Sequence, residues 1–298
     1  TAKMSDPSGY GRVVRDQTGR FVSVVEHKDA TAEQLALTEI NTGVLAIPTS
    51  MLSVYLPKVG NHNSQGEYYL PDVLPLAIAD GHVVNTVCAS DPIETEGVNT
   101  REQLARLERS YQHRQVLALM AAGVSFADPK RVDIRGTVRA GKDCFVHINA
   151  VFEGDVTLGD GVIIEPNCVI RSSTIGPFTQ ICAMSHIDQA EVGAHASVGP
   201  FARLRPGTRL ADKTKIGNFV ETKNAVLGVG SKVNHLSYVG DAQIGIDVNI
   251  GAGTITCNYD GANKHTTELG DHVFIGSNST LVAPLSIESN GFVGAGSV

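Results

Sequence analysis

A beat of six governs most of this chain. Aliphatic residues recur at Ile134, Ala140, Val146, Phe152, Leu158, Ile164 and Ile170. After a five-residue step they return at Ile175, Ile181 and Ile187, and after another at Val192, Val198, Leu204, Leu210 and Ile216. Leu227, Val233 and Val239, then Ile244 and Ile250, keep the interval, and Leu269, Ile275, Leu281, Ile287 and Val293 carry it almost to the end. An amphipathic helix repeats at 3.6 and a half-buried strand at 2, so neither explains the pattern. A period of six marks a parallel β-helix in which each hexad is a short strand plus a corner and three hexads close one triangular coil. Coils stack through strand hydrogen bonds about 4.8 Å apart. Glycine follows the aliphatic residue in Leu158-Gly159, Val192-Gly193, Ile216-Gly217 and Ile250-Gly251, which suits corners whose dihedrals a Cβ would obstruct.

Composition agrees with such a core. Aromatic residues make up 5% of the 298, tryptophan is absent and glycine numbers 31, as slim interiors and tight turns require. A net charge of −7 argues against bulk nucleic-acid binding but leaves room for a small anionic substrate at a local basic cluster. No stretch approaches the roughly 18 to 20 apolar residues of a membrane span. The opening "TAKMSDPSGYGR" has no apolar core of the signal-peptide kind. The five cysteines are scattered, odd in number and free of any CxxC, which points away from a disulfide framework and toward a reducing, cytoplasmic setting.

Residues 1–99 follow a different rule. "RFVSVVEHK" and "HVVNTVCAS" read as strands, "ATAEQLALTEI" and "LPDVLPLAIADG" as short helices. This is part of an α/β domain, with fewer βα units than a parallel sheet needs. Residues 100–123 form a linker helix, opened by a capping box of Thr100 and Gln103, striped by Leu104, Leu107 and Tyr111, and stopped at Gly123. The β-helix is expected over 124–298.

The aliphatic beat lapses between Ala252 and Glu268, in "NIGAGTITCNYDGANKHTT". An insertion between coils must project as a loop, and loops on rigid scaffolds often carry function. Asn258, Tyr259, Asp260, Asn263, Lys264 and His265 lie in it. Upstream, the polar stretches "PFARLRPG", "GNFVETKNA" and "NHLSYVGDA" begin about one coil apart, so Arg205, Lys223 and His235 are expected on neighbouring coils of a single face. Two fixed cations beside an imidazole suit a phosphorylated substrate, since Arg offers a bidentate fork and Lys a point charge. Taken singly, each admits a plainer reading: a solvated histidine, ordinary surface charges, turn formation by Asn258 and Tyr259.

These stretches, with "VFIGSNSTLVAPL" and, in the first hundred residues, "DPSGYGR", "VEHKDAT", "EINTG", "NSQGEYYL" and "EGVN", closely resemble the bacterial bifunctional UDP-N-acetylglucosamine pyrophosphorylase/glucosamine-1-phosphate N-acetyltransferase family. The resemblance implies a partial Rossmann-like nucleotidyltransferase domain followed by a left-handed β-helix, left-handed being the sense of the hexapeptide families although the general crossover rule points the other way. It implies acetyl transfer from acetyl-CoA to glucosamine 1-phosphate, for peptidoglycan and lipopolysaccharide precursors, in a homotrimer with active sites between subunits. His235 matches the general base and Glu221 a carboxylate beside it. Arg205, Lys223, Tyr238, Asn249 and Lys264 match the sugar-phosphate contacts, and Ala252, Asn258, Tyr259, Ser277 and Ala295 the acetyl-CoA side. Gly11, Glu26, Asn41 and Asn99 match nucleotide-sugar positions of the UTP-dependent activity, Asn99 also a Mg2+ ligand. Family features expected before and after this stretch are missing from it, so uridylyl transfer by this chain alone is not expected. Two other readings of a hexapeptide β-helix stand beside this one: a zinc hydratase using His186, His195 and His235, and a non-catalytic assembly domain.

Overall fold

The computed structural model describes all 298 residues and divides into two compact units, Thr1–Leu107 and Glu108–Val298. The division falls inside the helix Arg101–Ala121.

The first unit holds a four-stranded sheet whose order is Ala2–Lys3, Glu39–Ile40, Arg12–Arg15, Phe21–Val25. Every pairing is antiparallel, in keeping with a stretch that has fewer βα units than a parallel sheet needs. The 82–90 stretch, expected as a strand, joins no sheet: Thr1 donates to Val87 O at 2.8 Å, Ala89 N–H to Thr1 O at 2.8 Å, and Arg15 to Thr86 Oγ1 at 2.9 Å. A small core of Tyr55, Val59, Val73 and Ala77 lies under Thr49–Tyr55 and Val73–Ala79.

At the start of Arg101–Ala121 the capping box forms as read, Thr100 N–H donating to Gln103 Oε1 at 3.0 Å and Gln103 N–H to Thr100 Oγ1 at 3.1 Å. The Leu104 and Tyr111 stripe is exposed. In the second unit the helix instead buries Gln112 and Val116, with Leu119 packed on the same core. Arg109 reaches Val132 O at 3.1 Å and Asp133 at 2.8 Å, so the helix end closes the first coil of the repeat.

That repeat is a parallel β-helix with three walls. The first wall stacks His186–Asp188, Arg203–Leu204, the start of Glu221–Leu227, the start of Tyr238–Ile244, Ile255–Cys257 and Thr280–Val282. The second continues through Glu191–Val192, Arg209–Leu210, the ends of the two long strands, Thr267–Leu269 and Leu285–Ile287. The third is a ten-stranded stack that includes Lys215–Asn218, Lys232–His235, Asn249–Ile250 and Phe274–Ile275. The residues of the aliphatic beat point inward and are buried, Ala140, Ile287 and Val293 only partly.

The beat is longer than aliphatic side chains alone reveal. Thr222 and Thr256 occupy the inward positions after Ile216 and Ile250 and are buried. Each hydroxyl has a partner: Thr222 meets Thr208 Oγ1 at 3.0 Å, and Thr256 accepts from Gly240 N–H at 2.8 Å and donates to Gly240 O at 3.0 Å. Ala252–Cys257 therefore stays in register, Ile255 opposite Tyr238 and Thr280. The true excursion starts after Asn258 and ends before Thr267, shorter than the sequence pattern suggested, because a paired threonine fills an aliphatic slot at little cost.

Candidate functional site

Register turns sequence spacing into columns. On the first wall one outward column reads Arg135, Glu153, Arg171 and Asp188, and one step beyond the paired Leu204–Thr222 it continues as Arg205, then Lys223, then Gly240. The early members neutralise one another: Glu153 lies 3.6 Å from Arg135 and 2.5 Å from Arg171, and Arg171 lies 3.8 Å from Asp188. The alternation then fails. Arg205 and Lys223 place two cations on successive coils, with an uncharged glycine after them.

A third cation joins from the excursion. Lys264 lies within hydrogen-bonding reach of Lys223 and, with further repulsion from Arg205, holds the Lys223 ammonium below the usual lysine range, while Asp241 opposes this. Asp241 sits between Asn224, which donates to it at 2.7 Å, and Asn258, which also donates to it. Burial pushes the Asp241 carboxyl up, but those two amides and the lysines hold it lower. The Tyr238 ring lies along the same wall over Gly240, where a Cβ would stand 2.3 Å from the phenol oxygen.

His235 does not share that face. Arg205 and Lys223 belong to the first wall, whereas His235 ends a third-wall strand, in register with Asn218. The corner residue Leu236, with φ 50°, separates His235 from Tyr238, so the first wall lies between the imidazole at one edge and Lys264 at the other. Glu221 is not the ring's partner either. It accepts from Arg205 Nη1 at 2.9 Å and lies 3.8 Å from Arg203, because neighbours on its own wall reach it first. His235 Nδ1 instead meets Asn218 Oδ1 at 2.9 Å. An amide oxygen can only accept, so Nδ1 donates in this contact, and a neutral ring so held presents its lone pair at Nε2. Sequence reading missed Asn218. Its signal was its place in "GNFVETKNA", about one coil before His235.

The residues matched to acetyl-CoA separate into two groups. Leu236 N–H donates to Asn218 O, Gly253 N–H to His235 O, Asn278 N–H to Ala252 O and Gly296 N–H to Ser277 O. Asn218, His235, Ala252, Ser277 and Ala295 thus form one column, in which the imidazole heads a track of small side chains. Asn258 and Tyr259 lie at the opposite edge of the first wall, with the excursion. Asn249 stands on the third wall in register with Lys232 and Phe274, away from the cations.

In the first unit Gly11, Glu26 and Asn41 come together. A Cβ on Gly11 would meet Glu26 Oε1 at 2.9 Å, and Asn41 N–H donates to Gly11 O at 2.8 Å. Burial, then Asp29 and Asp72, raises the Glu26 pKa. Asn99 is exposed and donates its N–H to Gln103 at 2.7 Å. No group of three or more His, Cys, Asp or Glu side chains is arranged to hold a metal. Asn99 by itself would offer Mg2+ a single amide oxygen. The three histidines of the zinc reading are also dispersed: His186 on the first wall, His195 at a corner stacked 5.2 Å from Phe178, His235 at another corner.

A β-helix of hexads, with a cluster of three cations on one wall and an imidazole at that wall's edge, defines a hexapeptide-repeat protein. The family profile "Bacterial transferase hexapeptide (six repeats)" matches residues 141–172. Across its whole length the chain is 56% identical to the bifunctional protein GlmU of Marinobacter nauticus, covering 65% of that protein. It is 58% identical to the same-named protein of Cellvibrio japonicus, covering 66% of it. Among solved structures, the UDP-N-acetylglucosamine acyltransferase from Campylobacter jejuni is similar over 51% of this chain and 66% of its own, at 18% identity and a TM-score of 0.41. The chain is similar along its whole length to these bifunctional proteins, carries the left-handed parallel β-helix of the hexapeptide class, and spans 65–66% of the length of these relatives.

Proposed function

We propose that the second unit is an N-acetyltransferase module that moves the acetyl group of acetyl-CoA onto the amine of glucosamine 1-phosphate. One observation carries this reading: the charge alternation of the first wall gives way at Arg205, Lys223 and Lys264, and the His235 imidazole, its Nδ1 held by Asn218, stands across that wall at its other edge. Like charges in adjacent register are unfavourable unless an anion joins them. A sugar phosphate supplies that anion and carries an amine within reach of the wall's edge.

In this reading Arg205, Lys223 and Lys264 hold the phosphate, and Tyr238 lines the sugar. Acetyl-CoA lies along the Ala252, Ser277 and Ala295 column, where small side chains leave room for its pantetheine arm. The amine nitrogen attacks the thioester carbonyl while His235 Nε2 takes its proton. The tetrahedral intermediate then collapses, the carbon–sulfur bond breaks, and the imidazolium returns the proton to the leaving thiolate. Asn218 keeps the imidazole in the tautomer this step needs.

Further copies of the chain complete the site in this proposal, as a homotrimer. The corner next to His235 carries Met184, Phe201, Phe219 and Leu236, 50, 50, 55 and 65% exposed, with Phe201 and Phe219 stacked at 5.3 Å. An apolar ridge of this kind suits packing against another prism. Asn249, on a different wall from the cations, would then face a neighbour's first wall. No helix is long and apolar enough to cross a membrane. Gly11, Glu26 and Asn41 are assigned to nucleotide-sugar binding in the family's UTP-dependent activity.

The test is release of free CoA with glucosamine 1-phosphate as acceptor, measured beside the assembly's mass. His235→Ala should lower kcat by about a thousandfold, within the range of general-base catalysis, at unchanged mass. Unchanged turnover removes His235 from this role.

A further inference from the structure

The excursion that carries Lys264 is folded by its own polar groups. Tyr259 and Lys264 form an antiparallel bridge. Within it, Asp260 Oδ1 accepts from the N–H groups of Ala262 at 2.8 Å and Asn263 at 2.7 Å. Asp260 Oδ2 accepts from His265 Nε2 at 2.7 Å. Both oxygens of one carboxylate are thus committed inside eight residues of chain. His265 N–H returns to Asn258 O at 2.9 Å, fastening the far side of the bridge to the residue that leaves the prism. The Asn263 amide, then His265 and the Ala262 amide, holds the Asp260 carboxyl far below the ordinary carboxylate range.

This fastening has work to do. Lys264 is exposed; the Asp241 carboxylate draws both lysines, but their two ammonium groups repel each other. A free loop would relieve that repulsion by swinging Lys264 into solvent. Asp260 and His265 contact neither Lys223 nor Arg205, so their effect on the cluster runs through the backbone that places Lys264.

We propose that Asp260 and His265 form a clamp that positions Lys264 beside Lys223 against their mutual repulsion, and so pre-assembles the phosphate subsite. The inference rests on the functional reading above for its ligand. It adds two positioning residues that neither motif matching nor the cation cluster itself identifies. Pre-assembly matters because an anion that must first gather its cations loses affinity to that ordering.

The experiment uses the whole chain, with two readouts. In acetyl transfer, Asp260→Ala raises KM for glucosamine 1-phosphate about tenfold and leaves kcat and KM for acetyl-CoA within about twofold. His265→Ala does the same, whereas His265→Gln, which keeps an N–H donor at similar reach, stays near the parent. In a Lys264→Ala background, Asp260→Ala adds nothing to the acceptor KM, since there is no ammonium left to position. Parallel losses in kcat and both KM values, or full additivity with Lys264→Ala, would overturn the clamp. The second readout is calorimetric binding of inorganic phosphate, which needs no catalysis. Asp260→Ala weakens it about tenfold when Lys264 is present and not when it is absent. If the parent chain binds phosphate in this way yet transfers no acetyl group, the functional reading fails and the clamp stands; if the phosphate cycle is additive, the clamp fails by itself.

Discussion

The early and late coils of the first wall share one backbone pattern and one register, yet handle charge in opposite ways. From Arg135 to Asp188 each charge meets its opposite on the next coil. At Arg205 and Lys223 the column doubles the same sign, and Lys264 adds a third cation from outside the repeat. In-register neighbours about 4.8 Å apart make alternation the favourable arrangement on a stacked wall. Glu221 and Asp241 offset part of the departure from beside the column, and an anionic ligand would offset the rest. Function on such a scaffold is found where a repeating economy stops, not where the fold changes.

The sharpest way to break this contrast is to restore the alternation. Lys223→Glu would extend the early pattern past Arg205. Acceptor KM should rise about a hundredfold, the order expected for losing one charge-assisted contact and gaining a repulsion, while the melting temperature holds or rises. A fall in both stability and acceptor affinity would show that the column tolerates no carboxylate there and that charge is not the deciding variable.

At the wall's edge, Asn218→Ala should cost about tenfold in kcat with little change in either KM, because it frees the His235 ring to adopt the wrong tautomer. Asn218→Asp should instead move the pH profile of kcat/KM upward by favouring the imidazolium. A flat response to both replacements would return the orienting role to Glu221.

A smaller effect follows from Lys223. Its ammonium sits below the usual lysine range because of Lys264 and Arg205. A bound phosphate dianion opposes that and raises it. Below the free-site value Lys223 is already charged and affinity is full; as pH rises through it, binding must take up a proton and affinity falls. Calorimetry in two buffers of different ionisation enthalpy should therefore detect proton uptake at alkaline pH, and no uptake would mean that Lys223 does not face the phosphate.

The least effect belongs to the early coils. Glu153→Ala removes the partner of Arg135 and Arg171 and should cost stability of about 0.2 to 1 kcal/mol, the range of such cross-strand pairs, without moving acceptor KM. A changed KM would mean that the two stretches of wall are energetically one.

Amino-acid order by itself determined the prism, because only one fold rewards a slim inward side chain every sixth residue. It also determined the helix cap at Thr100 and Gln103, a local motif with both partners three residues apart. It did not reveal that Thr222 and Thr256 belong to the inward set, since a threonine is acceptable there only when a particular peptide or hydroxyl lies opposite. Nor did it reveal which wall each polar residue occupies. Spacing of about eighteen placed Arg205 beside Lys223 correctly, but His235 falls twelve residues after Lys223, two thirds of a coil, and so turns a corner. Tertiary structure alone decided that Glu221 serves Arg205 while Asn218 serves His235, because a hydrogen bond depends on which side chains share a column, and one corner residue is enough to separate them.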